Sequence, residues 1–185
     1  MEFFTTDQWD SQLWERAENV YHQSFAAHTR KKRAVIQSMF QKQMCFLHIG
    51  ADHTTGETLA MAISGRTSHP RVLLIDYIGV APERRSTGIG TSFMNLLKDW
   101  ALRTGGFTTL LIEAEAGTTA EDEKRHHFWQ ANGFILTDYV HNYIWVPEPY
   151  QAMYCKMTPD PSVPEDGPSL FRSITAFHRK AYRGV

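Results

Sequence analysis

A predicted strand, a short turn and a helix start follow one another in Ile78–Thr91, and their residue types suit an anion. At a helix N-terminus several backbone N–H groups lack an intrahelical acceptor, so a phosphate can accept several hydrogen bonds at once. Gly88 and Gly90 remove side chains where a phosphate must approach the main chain. Arg84 or Arg85 can add a charge-assisted hydrogen bond. We call the turn Val80–Thr91 the cradle; its hydroxyl groups are those of Ser86, Thr87 and Thr91.

Two other phosphate-binding patterns do not fit the cradle. A P-loop needs a Gly-Lys-Ser/Thr sequence, and none follows Gly88 at the required spacing. The dinucleotide fingerprint needs a third glycine, but Gly90 is followed by Thr91-Ser92-Phe93. The turn alone is therefore compatible with a phosphate site and with a plain helix start.

Glu113 and Glu115 end the next predicted strand, and their spacing of two residues places both side chains on one face. A lysine-type amine is neutral in only about one part in a few thousand at pH 7, so an amine nucleophile needs a base. Either carboxylate can take that proton. Alternatively, the two acids hold Lys124 or Arg125 of the following helix, or select a cationic substrate.

Two motifs resemble those of the GCN5-related N-acetyltransferases. Arg85-Ser86-Thr87-Gly88-Ile89-Gly90 matches their signature Gln/Arg-x-x-Gly-x-Gly/Ala, and Phe128–Phe134 is similar to their Phe-Tyr-x-x-x-Gly-Phe stretch. With the order of strands and helices, the resemblance covers Met1–Met157. It implies the α/β (α+β) fold of that family: a mixed, mostly antiparallel sheet of about six or seven strands, with a splayed central pair and helices on both faces.

The resemblance also implies acetyl-CoA as a cosubstrate and no metal. It assigns the pantetheine arm to main-chain groups of Ile78 and Val80, and directs the acetyl thioester toward the cleft beside the strand that carries Glu113. Asp122 and Trp129 are the further cofactor-binding positions. The resemblance assigns binding of the pyrophosphate to Arg85, Ser86, Thr87, Gly88, Ile89, Gly90 and Thr91.

The resemblance implies catalytic roles with two departures from the family pattern. Glu113 matches a position that acts as a base in some relatives. Many relatives use a tyrosine acid where this chain has Trp129, whose indole cannot usefully give up a proton. Tyr139 and Tyr143 are the predicted substitutes. Asp122 replaces a common asparagine, and its carboxylate can cap the helix instead.

The periodicity of apolar residues predicts the elements that position these side chains. Thr118, three residues before Glu121, predicts a capping box for the last helix of the domain. The expected helices are Asp7–Phe25, His28–Gln43, Ser86–Arg103 and Glu121–Asn132. The expected strands are Met1–Thr6, Met44–Ala51, Thr58–Ser64, Arg71–Val80, Phe107–Ala114, Phe134–Val146 and Tyr150–Met157.

The resemblance implies an acetyltransferase domain at residues 1–157, and the composition of 158–185 predicts a proline-rich linker and an amphipathic helix. The apolar stripe of that helix either docks on its own domain or meets a partner or second subunit, so a homodimer is compatible with the sequence. The basic run Arg30-Lys31-Lys32-Arg33 is expected to be a solvated face.

Composition restricts the classes of partner. The chain has 19 basic and 20 acidic residues, a formal net charge of -1, which gives no field to gather nucleic acid or an anionic membrane. Cys45 and Cys155 are too few and too far apart for a disulfide framework, so core thiols and a cytoplasmic setting are expected. Adjacent His126 and His127 diverge on a helix and predict no metal site.

The leading hypothesis is an enzyme that moves an acetyl group from acetyl-CoA to a primary amine of a small molecule or peptide. The alternative is a non-catalytic acyl-CoA-binding or regulatory domain, which the absence of the usual tyrosine at Trp129 motivates. Nucleic-acid binding through the basic run lacks interleaved aromatic residues. Turnover separates the first two hypotheses, and salt-dependent binding would mark the third.

Overall fold

A computed structural model describes residues 1–117, 119–144 and 146–184. Within these residues the chain forms a seven-stranded mixed sheet, five α-helices and a short 3-10 turn, Pro82–Arg84, so the predicted α/β class is confirmed. The strands are β1 (Glu2–Thr6), β2 (Cys45–Ala51), β3 (Thr58–Arg66), β4 (Val72–Val80), β5 (Thr109–Glu115), β6 (Ile135–Asn142) and β7 (Pro149–Lys156). The helices are α1 (Ser11–Ser24), α2 (Arg33–Gln41), α3 (Ile89–Arg103), α4 (Ala120–Ala131) and α5 (Gly167–Tyr182).

The strand order is β1-β2-β3-β4-β5-β7-β6. β1 with β2, β2 with β3, β5 with β7 and β6 with β7 are antiparallel pairs, whereas β4 and β5 are parallel, as predicted for a mostly antiparallel sheet. The parallel ladder joins Val72–Leu74 to Thr109–Leu111.

The chain divides into two compact units. The first holds β1–β3, the cradle and most of α3, and comprises Met1–Gly65, Ile75–Trp100 and Arg179–Val185. The second holds β5–β7, α4 and most of α5, and comprises Arg66–Leu74 and Ala101–His178.

In the first unit, α1 has both a side-chain cap at its N-terminus and an apolar face that is buried. The Asp10 carboxylate accepts hydrogen bonds from the backbone N–H groups of Gln12 (2.9 Å) and Leu13 (3.0 Å), which satisfies two orphan donors at the helix start. The buried face of the helix is formed by Trp14, Ala17, Val20 and Tyr21.

The basic run departs from the solvated face expected for it. Lys32 and Arg33 are exposed, but Lys31 is buried and its ammonium group lies 2.8 Å from Asp76 of β4. The Lys31 main chain accepts from the Tyr21 hydroxyl, and its N–H donates to the Tyr77 hydroxyl at 3.0 Å. The prediction is wrong for this one residue because a buried carboxylate on a neighbouring element offers it a partner.

His48 of β2 is fully buried in the first unit. Its ring bonds Thr5 through Nδ1 (2.9 Å) and Ser64 through Nε2 (2.7 Å), and Trp100 packs against it edge-on. Burial lowers the pKa of His48 from 6.5 to about 3.

We therefore expect acid to destabilise the fold through His48. The unfolded chain binds a proton at this ring below about pH 6.5 and the folded chain does not. The stability that His48 confers is complete above that pH and falls, by roughly 1.4 kcal/mol per pH unit, as the pH drops toward 3. Urea unfolding of the wild type and of His48→Gln from pH 7 to pH 4 measures this. Equal slopes in the two proteins would rule out His48 as the cause.

In the second unit, α4 begins at a capping box that is shifted by one residue from the expected one. The Thr119 hydroxyl accepts from the Asp122 N–H (3.2 Å), and the Asp122 carboxylate accepts from the Thr119 N–H (3.0 Å). Thr118, the predicted cap, lies outside the described residues. Asp122 fits the box because it stands three positions after Thr119, with a carboxylate that reaches back to the cap.

The predicted strand Phe134–Val146 ends earlier, since β6 stops at Asn142. Tyr143 leaves the ladder and directs its hydroxyl group to Glu113 of β5. β7 then begins at Pro149, which pairs with Asn142 and whose carbonyl accepts from the Ala116 N–H at 2.8 Å. A proline is tolerated at the first residue of a strand, where a ladder donor is not needed.

The tail helix α5 buries its apolar stripe in its own chain. The five stripe residues are between 0% and 3% exposed. Of the two possibilities, docking on its own chain or on a partner, the helix follows the first. Lys42 donates to three carbonyl groups at the C-terminal end of α5, at 3.0, 3.2 and 2.7 Å. The stripe consists of Leu170, Phe171, Ile174, Phe177 and Ala181.

The proline-rich segment before α5 has no regular structure, yet side chains tie it down. Asp160 accepts from the Thr108 hydroxyl (3.0 Å) and pairs with Arg71 (3.1 Å). Glu165 accepts from the Tyr154 hydroxyl at 3.1 Å. A homodimer stays a prediction; β6, at one end of the strand order, exposes Ile135 and Val140.

Candidate active site

The cradle connects β4 to α3 through two residues with left-handed backbone angles. Ser86 has φ of 59° and Gly88 has φ of +85°. A Cβ atom built at Gly88 meets nothing within 4 Å, so this glycine is required for its backbone angle and it borders open space. The Ser92 N–H donates to the Gly88 carbonyl at 3.0 Å.

This bond marks the start of the helical ladder. The three preceding N–H groups, those of Ile89, Gly90 and Thr91, therefore have no acceptor four residues earlier within the helix. Together with the positive end of the helix dipole, they form a site that suits a phosphate. The open space beside Gly88 lets such a group approach the main chain. The cradle residues thus fit the pyrophosphate of coenzyme A.

The two arginines of the cradle have different partners. Arg84 forms an exposed ion pair with Glu57 at 3.1 Å. Arg85 donates from Nε to the Val80 carbonyl at 3.2 Å, which holds its guanidinium beside the end of β4. The Thr87 hydroxyl donates to the Arg84 carbonyl at 2.6 Å and braces the turn, while Ser86 remains exposed. Arg85 is therefore the better placed of the two arginines to meet a phosphate.

Small residues under α3 position β4 and the cradle. Ile78, Val80 and Ile89 pack against a buried cluster formed by Ala60 and Ala62 of β3 and Phe93 of α3. On the opposite side of β4, a Cβ atom at Gly79 would lie 2.4 Å from the Ser24 hydroxyl oxygen, so only glycine allows this approach. The side chains of Ile78 and Val80 serve packing, and the Val80 carbonyl accepts from Arg85. The predicted contact of their main-chain groups with pantetheine stays a prediction.

A carboxylate cluster lies in the second unit, centred on Glu113 of β5. The Tyr143 hydroxyl donates to Glu113 Oε2 at 2.6 Å, and His178 Nε2 of α5 lies 2.6 Å from Oε1. Burial, followed by the charge of Glu113, raises the pKa of Tyr143 well above its ordinary value. Tyr143 therefore stays protonated and donates to Glu113. We call Glu113, Tyr143 and His178 the Glu113 cluster.

Glu115, two residues further along β5, has a different partner. Its carboxylate accepts from Arg125 of α4 at 2.9 Å, the alternative role that the sequence offered for this acid. Burial raises the pKa of Tyr150, opposite Glu115 on β7, to about 12, with contributions from Glu115 and Glu113. The two acids that the sequence placed together thus differ: Glu115 is neutralised by an arginine, and Glu113 is held by two donors.

The other predicted residues have structural contacts of their own. Tyr139 is 38% exposed and packs edge-on against Phe171 of α5. Trp129 is buried on α4 against Phe134, with ring centroids 4.9 Å apart. Hydrogen bonds from Thr119 hold the pKa of Asp122 below its usual range. The cofactor and catalytic roles of these residues stay predictions.

His178 is the residue of this cluster that sequence reasoning missed. It directly follows Phe177, a residue of the apolar stripe of α5, and no motif surrounds it. The signal that could have identified it is helical spacing. His178 lies seven residues after Phe171 and so shares a helix face with a buried aromatic residue.

The part of the chain that the structure describes contains neither a group of metal ligands nor a helix that could span a membrane. Across residues 1–117, 119–144 and 146–184, no three His, Cys, Asp or Glu side chains are grouped so that they could hold a metal ion. His126 instead bonds the Glu115 carbonyl at 3.0 Å. Over the same residues, none of the helices combines the length and apolarity that crossing a membrane requires. The two cysteines are buried thiols.

Solved structures show which class of fold this is. A GNAT-family protein from Bacteroides thetaiotaomicron is 16% identical, with a TM-score of 0.69 over 86% of this chain and 89% of that one. A coenzyme A complex of an aminoglycoside 6'-N-acetyltransferase is 14% identical, with a TM-score of 0.67 over 88% and 100%. A spermidine N-acetyltransferase chimera from Vibrio cholerae is 12% identical, with a TM-score of 0.65 over 85% and 97%. The fold is that of the N-acetyltransferases.

The sequence comparison defines the family. The model of the Acetyltransferase (GNAT) family matches residues 7–134, and the chain belongs to that family. The match includes the cradle and Glu113 but ends before Tyr143 and His178. The curated proteins contain no match to this chain.

Proposed function

We propose that the protein transfers an acetyl group from acetyl-CoA to a primary amine, by direct attack of the amine on the thioester. The observation that carries this proposal is the Glu113 carboxylate, held by two donors in a chain of an acetyltransferase family. The cradle supports acetyl-CoA as the donor, because its backbone N–H groups and Arg85 fit a pyrophosphate.

Glu113 supplies the base in this reaction. It takes one proton from the substrate ammonium group, directly or through water, and the neutral amine then forms a bond to the thioester carbonyl carbon. The C–S bond breaks as the tetrahedral adduct collapses, and the sulfur keeps the electron pair. The nitrogen loses a second proton to the departing thiolate. The products are the acetylated amine and the coenzyme A thiol, with one proton released to solvent.

Tyr143 has a role beside the base in this scheme. Its raised pKa makes it a weak acid, and general acids work best with a pKa near the working pH. A thiol has an ordinary pKa of about 8.5, so the departing thiolate needs little help from an acid. Tyr143 is therefore better suited to orienting Glu113 than to protonating the leaving group. This account also explains how Trp129 can stand where many relatives carry tyrosine.

We infer that the acceptor is a cationic small molecule. Glu113 and Glu115 lie on one face of β5, and the second also pairs with Arg125. The similar structures include acetyltransferases named for spermidine and for aminoglycosides, which are polycationic amines. Peptide amines remain the second class of acceptor. A cytoplasmic location stays a prediction.

Thiol release tests this function. We expect the protein to release coenzyme A from acetyl-CoA, read colorimetrically, when it is given polyamines or aminoglycosides and not when the amine is omitted. Amino acids and peptides with a free N-terminus complete the panel and delimit the acceptor class. Release that does not depend on any amine would contradict acetyl transfer.

A non-catalytic acyl-CoA-binding module is the second candidate. Two observations favour it. Trp129 stands where relatives carry the usual acid, and the Tyr143 hydroxyl already donates its proton to a hydrogen bond with Glu113. Such a module would bind coenzyme A in calorimetry and release no thiol with any amine of the panel. The same two measurements therefore separate the enzyme from the binding module.

A further inference from the structure

One face of α5 meets the Glu113 cluster at three successive positions. Phe171, Thr175 and His178 are spaced by four and three residues, so they share a helix face. The Phe171 ring stacks on His141, with centroids 4.4 Å apart and planes inclined by 16°. The Thr175 side chain lies beside the Tyr143 hydroxyl group, and His178 Nε2 lies 2.6 Å from Glu113 Oε1. Between Phe171 and His178 this helix face is therefore directed at the cluster.

We propose that α5 is part of the active site, and that His178 is a positioning residue that holds the Glu113 carboxylate ready to accept a proton from the amine. This inference rests on the proposed function. The helix lies beyond the family match, which ends at residue 134. The inference therefore assigns a catalytic contribution to a segment for which the family alone gives no role.

The chemistry of the contact supports a positioning role. An ionised carboxylate only accepts hydrogen bonds, so the hydrogen must lie on His178 Nε2. One bond of the cluster reaches each oxygen of Glu113: the Tyr143 hydroxyl bonds Oε2 and His178 Nε2 bonds Oε1. Hydrogen bonds to the charged form favour that form, and two donors from different elements fix the plane of the group.

Several other groups act on the same carboxylate. On β5 itself Glu115 carries a negative charge, which Arg125 of α4 offsets at 2.9 Å. Burial, and then the charges of Glu115 and Glu113, raise the pKa of Tyr150 on β7 to about 12, so this residue is uncharged at neutral pH. His141 contacts the Tyr143 ring, with centroids 4.5 Å apart. His178 is the group through which α5 donates a hydrogen bond to Glu113.

Three variants of α5 test the proposal kinetically. His178→Phe keeps a ring but removes the donor, and we expect kcat to fall about ten- to hundredfold, as for the loss of a hydrogen bond to a charged group, while KM changes little. The acidic limb of the pH–rate profile moves to higher pH, because the carboxylate loses a donor that favours its ionised form. His178→Gln places an amide N–H near the position of Nε2–H and recovers most of kcat. Arg179→Gln, on the exposed side of the same helix, is the control and keeps the wild-type rate.

The outcomes separate this inference from the proposed function. Thiol release by the wild type, with an unchanged rate and acidic limb in a folded His178→Phe protein, overturns the role of His178 alone. No thiol release by the wild type with any amine overturns the proposed function, and this inference with it.

A measurement without turnover tests the contact itself. In the protein labelled with nitrogen-15 at its histidines, the signals of His178 are those that disappear in His178→Gln. We expect the Nε2–H proton of His178 to resonate downfield. Glu113→Ala should move that proton upfield. A His178 signal that does not respond to Glu113→Ala overturns the proposal, whether or not His178→Phe folds.

Discussion

Gly88→Glu should weaken the binding of coenzyme A by about 100-fold or more, because a like charge placed against an anion costs several kcal/mol. Gly88 stands before the first turn of α3, with φ of +85° and open space where a side chain would project. A glutamate there would place bulk and negative charge in the space where we propose that the cradle receives the pyrophosphate. Calorimetry with coenzyme A measures the change.

Gly56→Glu is the matched control for this variant. Gly56 also has a left-handed angle, φ of +73°, and nothing within 4 Å of a Cβ atom, but it lies in the turn between β2 and β3. Both substitutions therefore carry a similar backbone strain, but only Gly88→Glu places its charge at the main-chain groups that start α3. Unchanged affinity in Gly88→Glu, or an equal loss in Gly56→Glu, would remove the cradle from the coenzyme A site.

Glu113→Gln should lower kcat at neutral pH by about 100-fold or more, the range over which a general base contributes. Glutamine keeps the shape of the side chain, but its single amide oxygen can accept from only one of Tyr143 and His178, and it cannot take a proton. As the pH rises toward the pKa of the amine, the substrate loses its own proton and part of the rate returns. A pH–rate profile of the wild type and the variant measures both effects.

Glu115→Gln is the comparison for this variant. Glu115 shares the strand and the face with Glu113, but its carboxylate is paired with Arg125. We expect its removal to affect KM for a cationic amine more than kcat, with no recovery of rate at high pH. A profile of Glu113→Gln that parallels the wild type at every pH would leave Glu113 with a structural role.

The cradle was predictable from the sequence because its signals are local. A strand, a turn with two glycines and an amphipathic helix occur within a short stretch, and Gly88 has the left-handed angle that favours glycine. The left-handed angle of Ser86 had no such signal. Serine rarely adopts that conformation unless its surroundings impose it.

The Glu113 cluster was only partly predictable because its members are distant in the chain. Tyr143 and His178 lie 30 and 65 residues from Glu113, and periodicity reports a residue's own element rather than its contacts. Glu115 and Arg125, ten residues apart on consecutive elements, could be considered as a pair beforehand. The burial of Lys31 was missed for the same reason, since its partner Asp76 is 45 residues away.

Glu113 and His178 are 65 residues apart in the sequence, so they are synthesised at different times. A ribosome adds about 5 to 20 residues per second, so Glu113 is synthesised several seconds before the residue that holds it. During part of that interval β5 also lacks its antiparallel neighbour β7, which begins only at Pro149. Until then β5 has β4 on one edge and an open edge on the other, and an open edge that carries leucine and isoleucine can pair with other chains. We therefore expect the nascent chain to be most prone to aggregation after β5 has emerged and before β7 has.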